Sequence, residues 1–196
     1  MAAPPNGSGV RSPGLVIETA RLRLRPFREA DLAELVRLIG NWEVARWVSN
    51  VPHPYTDSDG HAWIALVLEA HATGRPRRFA IASKDSDQII GGIGLDGDPG
   101  ADTDEAALGY WLGQPYWGRG YAREAVATLL DYGFHTLGLK TVRAYTDPAN
   151  TASQKVLLSC GLAYIGDIDL PKPTRNGAHR APLFRITAAE ASTGPR

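Results

Sequence analysis

The spacing of hydrophobic residues along the chain predicts a series of helices and strands. In the longer predicted helices, hydrophobic residues recur every three or four positions, so that one face can be buried. The predicted helices are EADLAELVRLIG, NWEVARWV, SDGHAWIALVLEAHATG, YAREAVATLLDYGF and NTASQKVLLSC. In the predicted strands, hydrophobic residues alternate with polar ones or run continuously. The predicted strands are LRLRPF, RFAIAS, IIGGIGL, AALGYWL, TVRAYT, GLAYIGDI and APLFRIT.

The order of these segments predicts the fold class. Three strands follow one another from RFAIAS to AALGYWL without a helix between them, so we expect them to pair antiparallel. The helix YAREAVATLLDYGF then stands between two strands, and a helical crossover joins strands that run parallel. We therefore expect an α/β (α+β) fold with a mixed, mostly antiparallel sheet and flanking helices.

Length, composition and charge narrow the class of protein. A chain of 196 residues with 43% hydrophobic residues predicts one soluble domain, at 15–187, between a disordered leader at 1–14 and a flexible tail at 188–196. Lys+Arg and Asp+Glu number 21 each, so the excess positive charge of a nucleic-acid binder is missing. Neither a signal peptide nor an apolar run of about 18 residues is visible. We expect a cytoplasmic protein without nucleic-acid or membrane partners.

Cysteine and histidine give no indication of a metal site. The single cysteine, Cys160, cannot form an intrachain disulfide and is interpreted as a small buried thiol. The five histidines lack metal-ligand spacing and are interpreted as surface or packing residues. They are His53, His61, His71, His135 and His179. We therefore expect no bound metal.

Two glycine-rich stretches could approach a phosphate group. GIGLDG has the spacing of a dinucleotide fingerprint, but it leads into the acidic loop DPGADTDE rather than into a helix, so we interpret it as a strand and its exit turn. YWGRGYAREAV differs, because Gly118 and Gly120 directly precede a predicted helix. The unpaired N–H groups and the dipole at a helix N terminus favour an anion. Taken alone, this stretch fits an ordinary turn and a diphosphate site equally well.

Read together, the motifs indicate a family. The chain contains LGYWLGQPYWGRGYAREAV followed by DPANTASQKVLLSCGL, and this arrangement resembles the GNAT family of N-acetyltransferases. Within the family it is similar to the branch of ribosomal-protein N-terminal (alanine and serine) acetyltransferases, as are TARLRLRPFREADLAEL and GGIGL. The resemblance spans roughly 15–187. It implies the GNAT fold, in which a central parallel strand pair splays apart, and acetyl-CoA as co-substrate.

The resemblance also implies a cofactor site. The family's pyrophosphate loop corresponds to Trp117–Ala122, with Trp117 in place of the usual Gln or Arg, and its backbone N–H groups hold the diphosphate. The strand Tyr110–Leu112 is expected to pair with the pantetheine amides, while the strand from Thr141 to Thr146 splays away. Asn150 matches an asparagine that contacts the cofactor, although a helix cap explains it as well. The implied cofactor-binding residues are Tyr110, Trp111, Leu112, Trp117, Gly118, Arg119, Gly120, Tyr121, Ala122, Arg123, Asn150 and Ser153.

Two residues are candidates for the chemistry. Direct acetyl transfer to an amine needs a base for the amine and a proton donor for the thiolate, but no enzyme nucleophile. Many family members use a tyrosine as the proton donor, and Leu157 stands at that position here. The branch tends to use a serine instead, and this serine corresponds to Ser153. Ser153 could also be an ordinary serine in the first turn of a helix. The branch's glutamate is replaced by Ala107. Glu105, on the same strand face, could substitute as base or simply be a solvated loop carboxylate.

Three functions remain compatible with the sequence. The leading hypothesis is acetyl-CoA-dependent acetylation of the α-amine of a protein or peptide. The alternatives are acetylation of a small amine (amino acid, polyamine or antibiotic) and, given the missing tyrosine and displaced glutamate, a non-catalytic CoA-binding module. The acceptor region is expected at 41–74 and 171–179, where Trp42, Trp47 and Trp63 pack in the core or line the pocket. Monomer and homodimer both remain open.

Overall fold

The computed structural model describes residues 14–48, 50–72, 76–97 and 104–193. Nearly all of the predicted leader, and residues 194–196 of the predicted tail, lie outside these ranges. Within them the chain forms one eight-stranded sheet. Its strands are β1 (Ile17–Glu18), β2 (Leu22–Arg25), β3 (Arg78–Ser83), β4 (Ile89–Asp96), β5 (Glu105–Leu112), β6 (Thr141–Tyr145), β7 (Ala163–Asp169) and β8 (Arg180–Thr187).

The sheet has the strand order β1-β2-β3-β4-β5-β6-β8-β7. Every neighbouring pair is antiparallel except β5 and β6, which run parallel. The predicted mixed, mostly antiparallel sheet with one parallel step is therefore confirmed. The two-residue strand β1 was not predicted, because it is too short to produce a periodic pattern.

Six α-helices flank the sheet in the described residues. They are α1 (Leu32–Ile39), α2 (Trp42–Ala45), α3 (Asp57–Ala72), α4 (Tyr121–His135), α5 (Thr151–Ser159) and α6 (Ala188–Thr193). The sequence predicted a cap at Ser58 or Asp59, but α3 begins earlier, at Asp57. The reason is that Thr56 N donates to Asp59 Oδ2 over 2.8 Å and Asp59 N donates back to Thr56 Oγ1 over 3.3 Å.

α6 occupies the first part of the predicted tail. The N–H and hydroxyl of Thr187 both donate to Glu190 Oε2 over 2.7 Å, and Glu190 N lies 3.3 Å from Thr187 Oγ1. This reciprocal cap begins a helix directly after β8. The sequence predicted a flexible tail at 188–196 and did not use the T-x-x-E signal that begins α6.

Hydrophobic residues are buried on both faces of the sheet. α4 contributes Ala125, Val126 and Leu129 to the larger cluster, and α1 and α3 pack on the other face through a second cluster that includes Leu35 and Ile64. Because helices cover both faces, the first seven residues of β4 are all buried. This explains why IIGGIGL is a continuous apolar run.

One arginine of β2 is part of the core. Arg25 is only 1% exposed, and its two terminal nitrogens donate to the Asp31 carboxylate over 2.8 and 2.9 Å. Its Nε and Nη2 also donate to the side chain and the carbonyl of Asp87, over 3.1 and 2.8 Å. The alternation in LRLRPF predicted a half-buried strand. Pairing with two aspartates is what allows this guanidinium to be buried.

Candidate active site

The glycine turn before α4 is open on one side. Gly118 and Gly120 have φ angles of 71° and 77°, in the left-handed region that favours glycine. A Cβ on Gly118 would meet nothing within 4 Å, and one on Gly120 would meet only Arg21 Nη2, at 3.4 Å. Gly120 is the N-cap residue of α4 and offers no side chain to the first N–H groups of the helix. The turn therefore presents backbone donors to open space.

The parallel strand pair separates next to this turn. β5 and β6 pair only at Glu105↔Thr141, Ala106↔Val142 and Ala107↔Arg143. β5 stays paired with β4 as far as Leu112, and β6 stays paired with β8 as far as Tyr145. One edge of β5 beyond Ala107 has thus lost its neighbour, as the GNAT resemblance predicted. The gap leads directly toward the glycine turn.

A pair of hydroxyl groups joins β5 to the first turn of α5. Tyr110 Oη lies 2.8 Å from Ser153 Oγ and 3.3 Å from the Ser153 carbonyl oxygen. Burial raises the pKa of Tyr110 to about 12, so its phenol is neutral and keeps its proton near pH 7. Asn150 Oδ1 accepts a hydrogen bond from Ser153 N over 3.1 Å and so caps α5. The structure brings Tyr110, Asn150 and Ser153 together, although the sequence did not predict the contact between the two hydroxyls.

Glu105 lies apart from this group. It is the first residue of β5, and its carboxylate forms an ion pair with Arg143 over 2.6 Å. Five residues of extended strand, about 17 Å at 3.3 Å per residue, separate it from Tyr110. The role of Glu105 as a base stays a prediction.

The other predicted cofactor residues differ in where their side chains lie. Trp117 Nε1 donates to the Leu112 carbonyl over 2.8 Å, which fixes the indole across the turn. Trp111 packs with the α1–α3 cluster on the far face of the sheet, so only its backbone faces the separated strands. Arg123 accepts a weak hydrogen bond from Cys160 on its carbonyl oxygen, at 3.6 Å. Cys160 is partly buried, and its thiol pKa is raised by burial.

The predicted acceptor region is held together by Asp147, which the sequence analysis missed. This carboxylate, 7% exposed, follows β6 and accepts hydrogen bonds from Thr174 Oγ1 at 2.6 Å, Asn176 Nδ2 at 3.1 Å and Ala149 N at 2.8 Å. Burial alone would raise its pKa, but these hydrogen bonds lower it below the usual value. Because Asn176 also donates to the Arg46 carbonyl, Asp147 connects loop 171–179 to the segment after α2.

Of the three tryptophans in the predicted acceptor region, Trp63 packs against the core, whereas Trp42 and Trp47 lie beside other side chains. Trp63 packs edge-on against Phe27 in the core, as one of the two interpretations expected. Trp42 is 47% exposed and stacks near His53, with ring centroids 5.2 Å apart. Trp47 lies under the Arg46 guanidinium, at 4.6 Å.

Neither a cluster of metal-binding side chains nor a membrane-spanning helix is present in the part of the chain that the structure describes. No group of three or more His, Cys, Asp and Glu side chains there could hold a metal ion. Within the same ranges, no helix combines the length and hydrophobicity needed to cross a bilayer.

The family follows from a match over most of the chain. Residues 21–163 match the acetyltransferase (GNAT) domain family. The chain belongs to the GNAT family. A GNAT relative, the uncharacterized N-acetyltransferase p20 of Bacillus licheniformis, is 36% identical over 145 residues, which cover 72% of this chain and 78% of p20. The protein is accordingly an N-acetyltransferase of the GNAT type.

Solved structures confirm the GNAT fold. The ribosomal-protein-S5-alanine acetyltransferase from Vibrio fischeri superimposes with a TM-score of 0.77 at 20% identity, over 89% of this chain and 97% of that one. The microcin C7 self-immunity acetyltransferase MccE, in complex with acetyl-CoA and AMP, gives a TM-score of 0.72 at 19% identity, over 86% and 93% of the two chains. At these identities the likeness establishes the fold alone.

Proposed function

We propose that the domain at 15–187 transfers the acetyl group of acetyl-CoA directly to the α-amine of a protein or peptide. The observation that carries this proposal is the unpaired edge of β5 leading to a glycine turn where a Cβ on Gly118 would face open space and one on Gly120 would meet only Arg21. The MccE structure, which holds acetyl-CoA in the same fold, supports the choice of cofactor.

The open turn fits a diphosphate. The N–H groups of the turn and the first turn of α4 have no side-chain cap, and the helix dipole adds positive potential there. Arg119 and Arg123 add two positive charges beside them. Backbone groups of Tyr110–Leu112, on the free edge of β5, are the partners we assign to the pantetheine amides.

Ser153 is the residue that we assign to the sulfur. In the reaction the neutral amine nitrogen bonds to the acetyl carbon and gives up a proton to a base or to water, the carbon–sulfur bond breaks, and the thiolate gains a proton. Because the Tyr110 phenol keeps its proton, it can donate to Ser153 Oγ and leave the serine hydroxyl hydrogen free for the sulfur. Unpaired N–H groups of β5 beyond Ala107 are available to the oxyanion.

The protonation state of the acceptor favours an α-amine. With a pKa of about 7.7–8.0, roughly a tenth of an α-amine is neutral at pH 7, whereas a lysine amine with a pKa near 10.4 is almost fully protonated. The likeness to a ribosomal-protein alanine acetyltransferase points in the same direction. The MccE likeness, on the other hand, favours a small molecule as the second candidate acceptor.

An acceptor panel tests the proposed function. CoA release is measured with peptides beginning with Ala, Ser or Met, with the same peptides blocked at the N terminus, and with amino acids and polyamines. We expect turnover on the free peptides and none on the blocked ones. Turnover on small amines alone would refute the acceptor assignment. Tight acetyl-CoA binding without any turnover would show a non-catalytic module.

Ser153→Ala tests the assignment to the sulfur. We expect kcat to fall by about 100-fold, the lower end for loss of one proton donor, while the Kd for acetyl-CoA is unchanged. The Asn150 cap uses the backbone N–H of residue 153 and therefore survives the substitution. Tyr110→Phe should lower kcat in the same direction, whereas Tyr164→Phe, which removes an exposed hydroxyl bonded to Asp167, serves as the control. A Ser153→Ala variant with wild-type kcat would remove Ser153 from the chemistry.

A further inference from the structure

Arg21 lies outside the Trp117–Ala122 loop but contacts both the glycine turn of that loop and the beginning of α4. Arg21 precedes β2, and its Nη1 donates to the Arg119 carbonyl over 2.9 Å. Its Nε and Nη2 each lie 2.7 Å from Glu124 Oε2, and its guanidinium lies 4.7 Å from the centre of the Tyr121 ring. The same Nη2 is the atom nearest to the Cβ position of Gly120, at 3.4 Å. The side chain therefore spans the junction between turn and helix.

The bond to Arg119 sets the direction of an amide. In a planar trans peptide, the C=O of one residue and the N–H of the next point in opposite directions. Since Arg21 holds the Arg119 carbonyl, it also fixes where the N–H of Gly120 points. Gly120 has φ of 77°, a conformation that glycine alone does not impose because it has other low-energy states. Arg21 thus favours one conformation of a turn that glycine alone would leave free to adopt others.

Glu124 places a negative charge close to the turn. Its carboxylate lies on the first turn of α4 and accepts hydrogen bonds from Thr19 Oγ1 at 2.5 Å and Arg21 N at 2.9 Å. Burial alone would raise the pKa of Glu124, but the hydrogen bonds from Thr19 and Arg21 lower it, so the group is ionised near pH 7. An unbalanced negative charge at this point would oppose a bound anion. The Arg21 guanidinium supplies the balancing charge.

We propose that Arg21 is a positioning residue for the diphosphate of acetyl-CoA. It orients the Gly118–Gly120 turn through the Arg119 carbonyl and cancels the charge of Glu124 beside the turn. This inference rests on the proposed function, because the ligand of the turn is the diphosphate assigned there.

The test compares donors with and without a diphosphate. Arg21→Gln is expected to weaken CoA binding, measured by calorimetry, by about tenfold or more, the effect of losing one charged hydrogen-bonding partner. The KM for acetyl-CoA should rise while kcat at saturation holds, and kcat/KM for S-acetylpantetheine, which lacks the diphosphate, should stay at the wild-type value. Arg23→Gln is the matched control, since Arg23 is the next arginine along and pairs with Glu18 instead.

A double variant tests the charge balance. In Arg21→Gln/Glu124→Gln neither charge remains, so part of the lost CoA affinity should return. No recovery would overturn the charge-cancelling role. A loss of kcat/KM for S-acetylpantetheine as large as that for acetyl-CoA, with a lowered Tm, would show a merely structural arginine. Wild-type CoA affinity in Arg21→Gln would overturn the positioning role of Arg21 and leave the proposed function standing. A wild-type protein that binds no CoA would overturn the proposed function itself.

Discussion

Gly120→Glu is expected to weaken acetyl-CoA binding by about 100-fold or more, because two like charges about 4 Å apart near a protein surface repel by about 4 kcal/mol. The substitution places a carboxylate on the open side of the turn, where the diphosphate is assigned. It also forces a residue with a Cβ into the left-handed region, at about 1–2 kcal/mol of folding stability. Calorimetric titration with CoA, together with thermal unfolding, measures both effects.

Gly138→Glu separates the charge from the backbone strain. Gly138 has φ of 73°, and a Cβ there would also meet nothing within 4 Å. It follows the other end of α4, away from the turn. Both variants should lose similar stability, and only Gly120→Glu should lose CoA. Equal CoA affinity in the two variants would exclude the glycine turn as the diphosphate site.

Asp31→Ala is expected to destabilise the fold by about 3 kcal/mol or more, the usual result of removing one partner of a buried ion pair. The Arg25 guanidinium would lose two hydrogen bonds while remaining buried with Asp87 as its other partner. Asp31 also accepts from Arg28 N over 2.8 Å, so the short 3-10 helix Glu29–Asp31 that leads into α1 would lose a capping hydrogen bond as well. Urea unfolding monitored by circular dichroism gives the free energy of unfolding.

Glu34→Ala is the control for this experiment. Glu34 pairs with Arg37 one helical turn away, and the Arg37 side chain is largely exposed while that of Glu34 is partly exposed, so we expect a loss of at most about 1 kcal/mol. If the free energy of unfolding fell by the same amount in both variants, burial would not make the Arg25–Asp31 pair more important for stability than an exposed pair.

The sequence predicted the elements whose signal is local. The switch from helical to alternating spacing located the strands, and the single helix between β5 and β6 predicted the parallel step that the structure confirms. The two glycines before α4 were recognisable because a left-handed turn at a helix N terminus requires them. α6 was missed although its cap was visible in the sequence, since the segment has no hydrophobic periodicity.

The contacts that build the candidate site could not be predicted in the same way. Tyr110 and Ser153 are 43 positions apart, and Arg21 and Glu124 are 103 apart. Nothing in the local pattern distinguishes Arg21 from Arg25, yet one lies at the glycine turn and the other is buried in the core. Glu105 looked suitable as a base by its position on the strand, but its partner is Arg143 on the neighbouring strand.

By itself, the sequence determined the order of helices and strands, and its motifs indicated the family and predicted an anion site at the glycine turn. Local backbone preferences and hydrophobic periodicity are written into consecutive residues, and these features depend on nothing else. Only the tertiary structure decided which distant side chains meet: the hydroxyl pair between β5 and α5, the Asp147 network and the arginine that contacts the turn. Such contacts depend on how the sheet brings separate strands and helices together.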